Sequence, residues 1–80
     1  MISAEQMRAA RALIGMKQEE LASAAGLSGQ TIKRMESLGT GKSSAENVQA
    51  VQRALEAAGV QFIDENGGGA GVRMARPRGA

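Results

Sequence analysis

Apolar residues recur through the first 58 positions at the three- and four-residue spacing of amphipathic helices, then give way to a β-branched and aromatic bias. Met7, Ala10 and Ile14 form one stripe, which predicts a first helix over about 4–14. Ser3 followed by Gln6 is a capping-box start, and Gly15 is the stop. A second helix is predicted over about 18–25, with Leu21, Ala22 and Ala25 inward. Glu19 and Glu20 lie in its first turn, where the helix dipole favours them. Gly26 stands where a positive φ is cheapest, Leu27 plugs the core, and Ser28 caps a third helix running to about Ser37. Residues 38–42 read as a loop. Ser43 with Glu46 suggests a second capping box and a fourth helix over about 44–58, with Val48, Val51, Leu55 and Ala58 on one face and Gly59 as its end.

From Val60 the pattern changes. Residues 60–64 carry a β-branched and aromatic bias, residues 65–71 are turn material with an Asn-Gly pair, and residues 72–75 suit a return strand. A two-stranded hairpin is marginal alone, so it needs the fourth helix underneath or a second subunit beside it. The expected architecture is mainly α: a four-helix domain over 1–58, a C-terminal β-hairpin over 59–76, and a disordered tail over 77–80. One residue breaks the pattern. Arg11 falls within the first helix's apolar stripe, so it either snorkels outward or meets a buried acid.

Composition narrows the class. Eighty residues make one domain near the lower limit for independent folding. Phe62 is the lone aromatic and there is no cysteine, so the core is aliphatic and unstapled by disulfides; a chain of this kind gains from dimerising. There is no apolar run of membrane-spanning length and no signal-peptide pattern, which predicts a cytoplasmic protein. The formal charge is only +2, but it is unevenly spread. Lys33, Arg34 and Lys42 face Glu36 alone across 28–42, and Arg73, Arg76 and Arg78 have no acid near them in the last nine positions. Two basic zones suit a polyanion.

The candidate chemistry lies in residues 18–36. Ile32 and Met35 turn one face of the third helix to the core, while Gln30, Lys33 and Arg34 gather on the opposite side. Glutamine can pair with adenine, and arginine or lysine with guanine, in a major groove. Ser28 and Thr31 can donate to phosphate at the start of that helix. Gly29 permits close approach, and Gln18, with Lys17 beside it, opens the second helix where free amides suit a phosphate.

Gln18, Glu20-Leu21-Ala22, Ala25-Gly26-Leu27-Ser28, Ile32 and Glu36 resemble the helix-turn-helix of the xenobiotic-response-element class, the group of the lambda repressor and Cro. The resemblance covers roughly residues 4–58, specifically for the first three helices and loosely for the fourth. It implies a phosphate contact at Gln18 with Thr31 as a phosphate neighbour, base readout from Ser28, Gly29, Gln30 and Arg34, and an ion pair between Arg11 and Glu36. There are two departures. Lys17 stands where that class usually has a Ser or Thr cap, and the hairpin replaces its usual fifth helix, so the class's dimer geometry does not carry over.

The resulting expectation is a sequence-specific regulator of double-stranded DNA, a dimeric repressor on a near-palindromic operator. Val60, Phe62, Ile63, Val72 and Met74 would lie across the dimer axis. The rival reading is a protein-interaction module, an antitoxin or antiactivator, that binds a protein partner through the hairpin. No catalytic, cofactor or metal site is expected. Histidine and cysteine are absent, the serines lack a base, and the glycines at 67, 69 and 71 lack the following helix that a dinucleotide cradle needs.

Overall fold

The computed structural model describes residues 1–75. Four helices, α1 (Ala4–Ile14), α2 (Gln18–Ala25), α3 (Gly29–Leu38) and α4 (Ala45–Ala57), are followed by an antiparallel hairpin of β1 (Val60–Ile63) and β2 (Gly71–Met74). Residues 76–80, which include the tail and the arginines at 76 and 78, lie outside the described residues.

The helix ends follow local chemistry. Ser3 Oγ accepts from the Gln6 amide while Gln6 Oε1 accepts from the Ser3 amide, closing the capping box. Gly15 and Gly26 end α1 and α2 in the left-handed region, at φ 67° and 71°. The fourth helix starts differently from the expectation. Its cap is Ser44, whose Oγ accepts from the Asn47 amide, so Glu46 sits one place too early to close a box. Ser43 instead ends a single 3-10 turn, Thr40–Lys42, inside the expected loop. Helix α3 continues one residue beyond Ser37, to Leu38.

The core is aliphatic and shared by every element: Met7, Ala10, Leu21, Ile32, Met35, Val48, Val51, Leu55 and Val60 are buried, with Ile2 tucked in from the N-terminal end. Thr40, itself buried, donates its hydroxyl to the Ile2 carbonyl at 2.7 Å.

The hairpin lies on α1 as well as α4. Val60 pairs with Met74 and Phe62 with Val72, so these four share a face; Gln61 and Arg73 point the other way and are joined, Arg73 Nε to Gln61 Oε1 at 2.9 Å. This corrects the expected dimer set. Val60 is only 2% exposed and completes the core of its own chain, so its side chain is not available to a partner. Phe62 and Val72 also pack against that core, half-buried, as are Ile63 and Met74.

Gln6 fastens the hairpin's loop end. Its Nε2 donates to the Gly71 carbonyl at 3.0 Å and the Ile63 carbonyl at 3.4 Å, and the residue is 7% exposed. Replacing Gln6 with leucine keeps the stem and removes both bonds to the hairpin together with the capping-box acceptor for the Ser3 amide. The expected cost is about 1 kcal/mol, with amide exchange rising in 60–63 and 71–74 while α2 and α3 hold their protection. Unchanged exchange in the hairpin would show that Gln6 does not secure it.

Candidate DNA interface

Three side chains from two helices converge on one residue of α3. Glu36 is 5% exposed, and burying a carboxylate is costly unless it is paired and hydrogen-bonded. Arg11 grips it side-on: Nε meets Oε2 at 2.6 Å and Nη2 meets Oε1 at 2.7 Å. The third nitrogen, Nη1, donates to the Met16 carbonyl at 3.1 Å, which ties the α1–α2 turn to the same guanidinium. Gln18 Nε2 donates to Glu36 Oε1 at 2.9 Å. Arg8 donates Nη1 to the Glu36 main-chain carbonyl, one of the last in α3. Of the two readings open for Arg11, the structure has it meeting a buried acid.

The electrostatics follow from this geometry. Burial alone pushes the Glu36 carboxyl up. The hydrogen bonds from Arg11 and Gln18, with the charges of Arg11 and Arg8, outweigh it and hold the group below the usual carboxylate range. The Glu36 hydrogen bond also raises the Arg11 guanidinium, against the effect of burial.

This buried cluster stands behind an open face. Gln30, Lys33 and Arg34 are exposed on α3, opposite buried Ile32 and Met35. Lys33, Arg34 and Lys42 form no ion pair or side-chain hydrogen bond among the described residues, although Glu19 and Glu20 lie on the neighbouring helix. Ser28 Oγ accepts from the Thr31 amide at 3.1 Å and lies 2.9 Å from the Thr31 hydroxyl, so the two hydroxyls are held together at the start of α3. Gly29 follows, with nothing within 4 Å of where a Cβ would stand. Its small size answers to nothing inside the chain. Lys17 precedes α2 without a side-chain cap, and the Glu20 carboxylate accepts from its amide at 2.8 Å. Lys17 thus stands exposed before α2, while Ser28, Gly29, Gln30, Thr31, Lys33 and Arg34 lie at the start and along α3. Lys42 is exposed at the end of the 3-10 turn that follows α3. Gln18 belongs to both groups, half-buried with its amide on Glu36.

Arg8 was missed in the sequence. The available signal was its position one turn before Arg11, which puts both guanidiniums toward α3.

Two helices set across a glycine turn, the second presenting a polar cationic face and backed by a buried ion pair, define a helix-turn-helix domain. A family model for helix-turn-helix domains matches residues 7–58, more than half of the chain, and the chain belongs to that family, in its xenobiotic-response-element class of DNA-binding transcriptional regulators. A comparison with curated proteins finds no match. This is a family of DNA-binding regulators and not of enzymes. Among the described residues no helix is long and apolar enough to cross a membrane, and no group of His, Cys, Asp or Glu is placed to hold a metal ion.

Because folding depresses the Glu36 carboxyl, its contribution is complete above the ordinary glutamate range and disappears as pH falls through the folded value. Glu36→Gln leaves the Arg11 charge uncompensated and is expected to cost about 3 kcal/mol at neutral pH. Melting curves from neutral to strongly acid pH should show wild type losing more stability than the variant, the two converging at low pH. Parallel curves would show that the carboxylate contributes no pH-dependent stability.

Proposed function

We propose that the protein is a dimeric repressor that reads a near-palindromic operator with α3 in the major groove. The observation that carries this reading is the uncommitted outer face of α3: Gln30, Lys33 and Arg34 are exposed, without internal ion-pair partners among the described residues, beside a glycine that packing does not require. Gln30 and Arg34 are the base readers, able to form two-point contacts with adenine and guanine. Lys33, Lys17, Lys42 and the Ser28–Thr31 hydroxyl pair contact phosphate, with the amide groups at the α2 amino terminus.

Dimerisation falls to the hairpin. Its sheet has two strands only, so β1 and β2 each keep an outer edge of unpaired backbone groups. A second copy pairing along such an edge repeats the same contacts in both directions, as a twofold axis requires. Phe62, Ile63, Val72 and Met74, all half-buried, border those edges. Two α3 helices related by this axis would meet half-sites about one helical turn apart.

The test is a titration against duplexes from upstream of the protein's own gene and its neighbours, at physiological salt with nonspecific competitor. Wild type should select one duplex. Arg34→Ala should lose about 1–3 kcal/mol of that binding and relax the preference at one position. Binding equal for all sequences and unchanged in the variant would remove α3 as the reader and turn attention to a protein partner at the hairpin. Sedimentation of the free protein and of the complex tests the dimer.

A further inference from the structure

The Gln18 side chain occupies an unusual position. It opens α2, whose first amides have no earlier turn to bond to, yet its amide nitrogen is already engaged with a carboxylate buried in α3. A primary amide nitrogen carries two hydrogens. One is committed to Glu36 Oε1, whose other hydrogen bond comes from Arg11. The carboxylate is in turn immobile, since Arg11 holds both oxygens and Arg8 holds the same residue's carbonyl.

We infer that Glu36 is a positioning residue for the DNA backbone clamp: by fixing one hydrogen of the Gln18 amide, it presents the other, with the free main-chain amides of α2, to a single phosphate. This rests on the DNA-binding reading above. The physical gain is preorganisation. Glutamine is a flexible side chain, and immobilising it before binding removes a cost otherwise met when the complex forms. The buried pair is then more than a brace between α1 and α3. Its acid sets the geometry of a surface contact on α2.

The test is a double-mutant cycle on duplex binding. Gln18→Met keeps the volume and removes the amide. The partner change is Arg11→Met with Glu36→Met, which removes the carboxylate without stranding a buried charge and so keeps the fold. Both the duplex selected by titration and an unrelated duplex of equal length are used, because a phosphate contact acts on either. In wild type, Gln18→Met should weaken both duplexes roughly three- to tenfold and leave the slope of log affinity on log salt unchanged, because a neutral amide releases no counterion. In the background lacking the ion pair the same change should do almost nothing. An equal loss in both backgrounds overturns the inference, because Gln18 would then act without Glu36. No loss in wild type overturns it as well.

A second measurement needs no DNA. In the side-chain amide spectrum of free wild type, the two Gln18 hydrogens should be well separated, one protected from exchange. They should revert to ordinary glutamine values when Arg11→Met and Glu36→Met are combined. Ordinary values in wild type would refute the fixed amide. If wild type binds no duplex at all, the DNA reading and the clamp both fall, while the spectrum still reports on the Gln18–Glu36 bond by itself.

Discussion

A carboxylate with 5% of its surface exposed governs this small domain. Left alone in an aliphatic core, Glu36 would either protonate or open the structure to water. It remains charged because a guanidinium from α1 and an amide from α2 reach it, and neither can do so unless the three helices cross as they do. The interaction adds little net stability beyond what an apolar replacement would give. What it does is exclude alternatives. Sliding α3 along α1 by one turn would strand a charge on each side, a penalty that a greasy interface of alanines and methionines could not impose. The orientation of the outer face of α3 is therefore set from behind.

The helices were legible because each boundary is local chemistry. Gly15 and Gly26 adopt left-handed φ values, Ser3 and Ser28 accept from amides three residues on, and the apolar stripes follow the core except at Ala58, which is exposed beyond the end of α4. Legibility failed where a choice was degenerate or long-range. Ser43 and Ser44 are chemically equal caps, and Ser43 is taken up by the preceding 3-10 turn, its amide donating to the Thr40 carbonyl. Gln6 satisfied a local motif through its oxygen, which concealed the bonds of its nitrogen 57 and 65 positions away. Arg8 drew no reading, because its target is a main-chain carbonyl 28 positions away and only its place one turn before Arg11 hints at it.

The hairpin shows the same limit. A β-branched and aromatic bias with an Asn-Gly turn disclosed its strands, but a short apolar ribbon can bury one side against its own helices or against another molecule. Val60 is deep in the chain's own core, while Phe62 and Val72 rest at its margin. The apolar side is thus turned inward, and what remains outward is the backbone edge with Gln61 and Arg73 locked to one another. The exposure of Gln30, Lys33 and Arg34, by contrast, follows from helical period alone, whereas the inward bond of Gln18 does not.

The link from Gln6 to Ile63 and Gly71 also orders events during synthesis. All four helices emerge from a ribosome before the strands that close the core, and Val60 waits on the far side of Gly59. The three-helix grip on Glu36 joins residues 28 positions apart or fewer. Sealing the hairpin joins residues 57 and 65 positions apart and carries the larger loop-closure cost. The surfaces of α1 and α4 that the hairpin covers therefore stay open until residues 60–74 have left the ribosome. The last segment made is thus the one that closes the core, with Val60 as its buried residue.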